Sequence, residues 1–302
     1  MRFKLLIIAV CASWGCFADT PAPKVSITPL HTSDKFIVED KVFEYPNGEK
    51  WTDRLLRRQD SPTLVESVLT LESQSLLRMP YSHFVMSALY LVPNPQKILV
   101  MGLGGGSLST TFANLFPEAK IDTVDIEKEI AEIAQNFFFF KVSSKLKIHV
   151  KDGYNFIMNL PEINTYDLIV MDAMEQGCSP ESFRTEPFVR TLKAHLNPGG
   201  VIAVNTLTQC SFRSVEQGLY EKVFGDLYIV QEPESGNPHI SNIILLGMKG
   251  DLPSWASIQD RAEAYRSEFQ KRGIDTDALL SKMSLKINKP MQGETRSIAP
   301  GS

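Results

Sequence analysis

The sequence predicts an α/β protein: a doubly wound, mostly parallel sheet of seven strands with helices on both faces, preceded by a small β-rich N-terminal module. Three observations carry this. Short apolar runs alternate with helical patterns from residue 94 to 250, as strands covered on both faces require. A glycine-rich run, Gly102-Leu103-Gly104-Gly105-Gly106, falls directly between the first such strand and its helix. Asp125, Asp152 and Asp172 end the next three strands, at the sheet edge where ligands bind in this architecture.

Composition is consistent with that class. The 302 residues are 43% hydrophobic and 22% charged, with a net charge of −4, which excludes a disordered chain. An isoelectric point near 5.8 argues against nucleic-acid binding by bulk charge. Four cysteines in this length do not make a disulfide scaffold.

Residues 1–18 read as a secretory signal peptide. Arg2 and Lys4 precede an apolar run from Leu5 to Trp14, and Cys16-Phe17-Ala18 offers a small-residue cleavage site before Asp19. The run is shorter than the roughly 20 residues a bilayer span needs. Cleavage removes two basic groups and leaves Cys178 and Cys210 as the remaining cysteines. The expected location is therefore secreted or exported, with no membrane span.

Residues 19–93 form the β-rich module and a lead-in helix. Lys24–Pro29, Phe36–Glu39 and Lys41–Tyr45 are strand-like, Pro46-Asn47-Gly48 is a turn, and Leu64–Leu71 alternates as another strand would. Arg54, Arg57 and Arg58 form a basic cluster, the usual mark of a solvated face. Tyr81–Leu91 is helical and stops at Pro93-Asn94-Pro95.

Residues 94–250 supply the main domain. Its strands are Ile98–Met101, Ile121–Val124, Leu146–Val150, Asp167–Met171, Val201–Val204, Leu227–Val230 and Ile243–Leu246. Helical patterns separate them at Leu108–Phe116, Glu127–Phe138, Tyr154–Leu160, Glu186–Leu196 and Phe212–Phe224. Asn197-Pro198-Gly199-Gly200 reads as a helix stop. Residues 251–302 add an amphipathic helix at Ser254–Lys271, a shorter one from Thr276, and a disordered end.

The strand ends define the chemistry. The glycines allow close approach of a ligand to a helix N-terminus, although a tight strand-to-helix turn wants glycine too. Asp125, some 20 residues on, suits a pair of ribose hydroxyls or a helix cap. Asp152, before Gly153, fits an adenine amino group or a cap equally well. Asp172 is followed by Glu175, an acceptor-binding acid or a solvated loop acid. Phe137–Phe140 are more simply packed than stacked on a base. His83, His149 and His195 lack metal-ligand spacing, so no metal is expected.

The motifs V-M-G-L-G-G-G-S-L, V-D-I-E, K-D-G, V-M-D-A and T-E-P-F…L-N-P-G-G-V resemble the spermidine synthase-like (polyamine biosynthesis domain) branch of class I S-adenosylmethionine-dependent transferases. The resemblance runs over residues 64–248. It is nearest a subgroup holding bacterial spermidine synthase-like proteins and a domain of a eukaryotic elongation-factor methyltransferase. It implies the Rossmann-like class I methyltransferase fold. It also implies that Gly102, Gly104 and Gly106 cradle the methionine part of the cofactor, that Asp125 with neighbouring Glu127 takes the ribose, and that Asp152-Gly153 faces the adenine. Asp172 and Glu175 match the acids that hold and deprotonate an amine acceptor, and Gln74 and Tyr81 flank cofactor and acceptor. A homodimer is allowed by the same resemblance.

Two departures bear on the reaction. Ser107 stands where aminopropyltransferases of this type have an acid, and Glu175 replaces an Asp. Losing an ammonium partner disfavours decarboxylated S-adenosylmethionine relative to S-adenosylmethionine. The expected activity is methyl transfer to a protein or small-molecule amine. Aminopropyl transfer to putrescine is the alternative, and a secreted, non-catalytic binding protein is the second. Cys178 and Cys210 follow neighbouring strand ends and pair as a disulfide in an oxidising compartment or remain free thiols.

Overall fold

The computed structural model describes residues 22–175, 177–232 and 241–287. The expected signal peptide lies outside the described residues, as do residues 288–302, where the expected disordered end falls.

The chain opens with four antiparallel strands in sequential order: β1 (Lys24–Thr32), β2 (Phe36–Glu44), β3 (Lys50–Arg58) and β4 (Val65–Thr70). Charge pairing explains the two departures from the sequence pattern. β2 continues through Asp40, which accepts two hydrogen bonds from the Arg54 guanidinium at 2.7 and 2.9 Å. β3, too charged to announce itself as a strand, places Arg54 opposite Asp40 and reaches Glu39 with Arg57 at 2.8 Å. Opposite charges across neighbouring strands stabilise the pair. Arg54 and Arg57 are thus cross-strand partners rather than a freely solvated face, while Arg58 pairs with Asp60 just beyond β3.

Helix α1 (Pro80–Met86) runs into a 3₁₀ turn ending at Tyr90. The central strands are β5 (Lys97–Met101), β6 (Lys120–Asp125), β7 (Leu146–Val150), β8 (Tyr166–Met171), β9 (Leu196–Leu207), β10 (Leu227–Gln231), β11 (Asn242–Met248) and β12 (Met283–Lys286). They lie in the order β12-β10-β11-β9-β8-β5-β6-β7. Strands β5 to β9 are mutually parallel, and β11 is antiparallel to both its neighbours. The seven expected strands are present. An eighth, β12, comes from the tail and adds itself antiparallel to β10.

Alternation along the strands builds two apolar layers. Ile98, Val100, Leu168 and Val170 face one side, where α1, α2 (Ser107–Leu115), α3 (Lys128–Phe137) and α7 (Trp255–Gln270) pack. Leu99, Met101, Ile169 and Met171 face the other, under α4 (Gly153–Met158), α5 (Glu186–Ala194) and α6 (Arg213–Phe224). Each fully buried aliphatic side chain contributes about 1.5–3 kcal/mol over an exposed one. A short α8 (Thr276–Ser281) precedes β12. Among the described residues no helix is long and apolar enough to cross a membrane.

Asn197-Pro198-Gly199-Gly200 lies inside β9 instead of stopping α5. Gly199, at φ +77°, and Gly200 exchange main-chain hydrogen bonds with Lys249, both 2.8 Å, so the turn residues are absorbed as an irregular strand start. Phe138 and Phe140 are buried, in agreement with packing, while Phe139 is exposed at φ +57°.

Candidate active site

The glycine run turns the chain from β5 into α2 with Gly102, Gly104 and Gly106 at φ +100°, +51° and +79°. Such backbone strongly favours glycine. Space argues the same way. A Cβ on Gly102 would come within 2.6 Å of the Asp172 carbonyl oxygen. The Asp172 N–H in turn donates to Met101 O at 2.8 Å, so the ends of β5 and β8 are drawn together.

Asp125, at the end of β6, closes the other side of this turn. One carboxylate oxygen accepts the Leu103 N–H and the other accepts the Glu127 N–H, each at 2.9 Å. Burial pushes its carboxyl above the ordinary value, and main-chain hydrogen bonds from Glu127, Leu103 and Ile126 oppose that shift. A carboxylate has about four acceptor positions, so Asp125 retains capacity for further hydroxyl donors.

Asp172 is held at both carboxylate oxygens. Its Oδ1 accepts from the Asn205 amide at 2.7 Å and its Oδ2 from the Tyr81 hydroxyl at 2.9 Å. The Asn242 amide donates to Asn205 Oδ1 at 2.9 Å and orients that amide. Burial pushes the Asp172 carboxyl up to about 6 against the pull of those two donors, while part of the residue still reaches open surface. Burial and the adjacent carboxylate hold Tyr81 protonated, well above its usual range.

The other expected site residues have partners and neighbours of their own. Glu127 makes an ion pair with Lys35 at 2.8 Å, tying α3 to the N-terminal sheet. Asp152 caps α4 by accepting the Asn155 N–H at 2.8 Å, and a Cβ on Gly153 would meet the Met101 side chain at 2.8 Å. Gln74 is exposed and lines a cavity of about 140 Å³ with Ser67, Gly105, Ser107 and Phe138. Glu175 is exposed in a turn closed by reciprocal main-chain hydrogen bonds with Cys178, at 2.7 and 3.0 Å. Cys178 and Cys210 form a disulfide with their Cα atoms 5.2 Å apart, which joins the loops after β8 and β9.

Three participants escape sequence reasoning. Ser67 Oγ accepts the Gly105 N–H at 2.8 Å and fastens β4 to the glycine turn. Asn205 lies just past the apolar run that marks β9, where strand ends carry polar groups. Glu66 is the extra residue of a β-bulge: Leu56 pairs with Ser67 and Arg57 with Val65. Burial raises its carboxyl pKa, Arg58 lowers it, and Asp125, Asp60 and Asp172 raise it further. An acid inside a short alternating strand is the one signal that marks it.

A larger groove of about 730 Å³, lined by Tyr228, Asp251 and Trp255, lies at the opposite end of the sheet. Among the described residues no group of three or more His, Cys, Asp or Glu is placed to hold a metal ion.

Residues 80–223 match a family model described as the spermine/spermidine synthase domain. A polyamine aminopropyltransferase of Vibrio vulnificus is 32% identical over 211 residues, 69% of each chain. The chain belongs to the spermine/spermidine synthase family. An eEF1A lysine and N-terminal methyltransferase of Xenopus laevis is 26% identical over 250 residues, covering 74% of this chain and 35% of that protein.

Solved structures share the fold. A probable spermidine synthase from Corynebacterium glutamicum superposes with a TM-score of 0.64 at 18% identity, covering 93% of this chain and all of that one (100%). A spermidine synthase in complex with the transition-state analogue AdoDATO gives 0.59 at 16% identity, covering 87% and 85%. Human methyltransferase-like protein 13 in complex with SAH gives 0.54 at 24% identity, covering 73% and 97%.

Proposed function

We propose that the chain is an S-adenosylmethionine-dependent transferase that modifies an amine by in-line displacement at a sulfonium. The observation that carries this reading is Asp172, fixed at the β8 end by Asn205 and Tyr81 and packed against the glycine turn. A sulfonium cofactor supplies an activated carbon whose leaving group needs no acid. The protein's share is then to position the reactants, exclude water and present an uncharged nucleophile.

Asp125 would take the ribose through its remaining acceptor positions, and the turn at Gly102, Gly104 and Gly106 would border the methionine part. Asp152 keeps one carboxylate oxygen outside its cap for an adenine amino group. Glu127, Gln74 and Gly153 complete the cofactor's surroundings in this reading. Ionised Asp172 holds the acceptor's N–H by a charge-assisted hydrogen bond and accepts its proton. Exposed Glu175 meets the acceptor's distal end.

Methyl transfer is the first reading, supported by Ser107 at the start of α2, which brings no acid to the cofactor's tail. Aminopropyl transfer is the second, favoured by the acid Glu66 on the facing strand. Calorimetry of the mature protein against S-adenosylmethionine, its decarboxylated form and methylthioadenosine tests the proposal. Tighter binding of S-adenosylmethionine supports methyl transfer, and tighter binding of the decarboxylated form reverses the order. Binding of none of the three rejects both.

Export is part of the same proposal. The Cys178–Cys210 bond suits an oxidising compartment. N-terminal sequencing of the mature protein should begin at Asp19, and an intact Met1 would overturn it. A homodimer is consistent with the exposed Val25, Ile27 and Leu30 on β1, and sedimentation at two concentrations decides it.

A further inference from the structure

We infer that Glu66 is a specificity-determining residue of this site, holding the ammonium group on the cofactor's amino-acid tail. The inference rests on the transferase reading above and assigns a role to a residue outside its expected machinery.

The geometry is local and specific. A β-bulge leaves one residue unpaired in the ladder and re-aims its side chain, and here that residue is Glu66. Its neighbour Ser67 is locked to the Gly105 N–H at 2.8 Å. The bulge is therefore in register with the glycine turn rather than with the Asp172–Glu175 loop. That sets Glu66 on the strand bordering the glycine turn, where its charge also reaches Tyr81 and Asp172.

The charge balance points to a cation. Asp125 and Asp172 both act on Glu66 electrostatically, as does Asp60, and Arg58 is the cation that opposes them. Arg58 is itself engaged by Asp60 at 3.2 Å. Among the described residues the Glu66 carboxylate has no hydrogen bond and no ion pair, although it is half-buried. Asp125 and Asp172 each have two hydrogen-bond donors of their own. A partly desolvated carboxylate beside two others is costly unless a positive group joins it. The reacting sulfonium cofactors carry one on a flexible arm, and methylthioadenosine lacks it. Ser107 cannot serve as its counter-ion, so Glu66 is the acid left to do so.

The test compares the parent protein with Glu66→Gln, which keeps size and shape and removes charge, by calorimetry against three ligands. Decarboxylated S-adenosylmethionine, whose tail is purely cationic, should bind about tenfold to a hundredfold more weakly to the variant. S-adenosylmethionine should weaken less, because its tail also carries a carboxylate that Glu66 repels. Methylthioadenosine should bind both proteins equally and so reports an intact fold. Equal loss for all three ligands, or no loss for any, overturns the role of Glu66. A parent protein that binds none of them overturns the transferase reading itself, and that result is read from the parent alone.

Discussion

Tyr81, in the first turn of α1, donates its hydroxyl hydrogen to Asp172 Oδ2 at 2.9 Å across 91 positions of sequence. This one bond attaches the lead-in helix to the end of β8. It also favours the ionised carboxylate, since the tyrosine can only stabilise Asp172 as an acceptor by staying protonated.

The pH profile should reveal that bond. Asp172 is protonated below about 6 and then neither holds nor deprotonates an amine. The acid limb of kcat/KM is therefore expected near that pH. Tyr81→Phe removes a group that lowers the Asp172 pKa, so the limb should move to higher pH. An unmoved limb would mean that another group titrates.

Stability should respond in the opposite direction to activity. The folded Asp172 carboxyl titrates higher than its ordinary value of 3.8, so the native state binds the proton more tightly than the unfolded chain. Its contribution to stability is full below about pH 4 and is lost as pH rises towards 6. Asp172→Asn should then stabilise the fold at pH 7 by about 1–3 kcal/mol while abolishing most turnover. Denaturant unfolding at pH 4 and pH 7 checks this, with the gain confined to the higher pH.

Two glycine substitutions should part company. Gly102→Ala strains a φ of +100° and presses a methyl group onto the Asp172 carbonyl, so a loss of about 2–5 kcal/mol is expected. Gly218→Ala, inside α6 with nothing within 4 Å of the new carbon, should gain about 0.5–1 kcal/mol. Urea midpoints of the two variants measure both.

The disulfide is open to a direct mass measurement. Cys178 and Cys210 are 32 positions apart, and a cross-link over such a loop stabilises by about 3–4 kcal/mol. Protein beginning at Asp19, alkylated without reductant, should keep its mass, and reduction before alkylation should add two labels and lower the melting temperature. Two labels without reductant would show free thiols.

Most of the sheet is legible because buried parallel strands are near-continuous apolar runs, and Ile98–Met101 and Asp167–Met171 need no partner to be recognised. Asp125 and Asp172 follow at once, being the first polar residues after such runs. β3 is illegible for the converse reason: its pattern is set by Asp40 and Glu39 on another strand, and no local period records that. Glu66 is hidden by its bulge, which removes it from the alternation that would give its direction. Gln74 is chosen from a motif alone, and only the folded chain shows that it shares a cavity with Ser67, Gly105 and Ser107. β12 goes unread because it is a short edge strand whose pairing with β10 exists only in three dimensions.

Phe36, Val38, Leu56 and Leu69 of the N-terminal sheet belong to the same apolar cluster as Val100, Phe112 and Ile130 beneath the glycine turn. The boundary near residue 93 is therefore one of pattern and not of cooperativity. Heating should melt both sheets in a single transition, with calorimetric and van't Hoff enthalpies in agreement. The edge at the glycine turn is then only as rigid as the strands of the first sheet, and deleting that sheet would dissolve the cavity along with its wall.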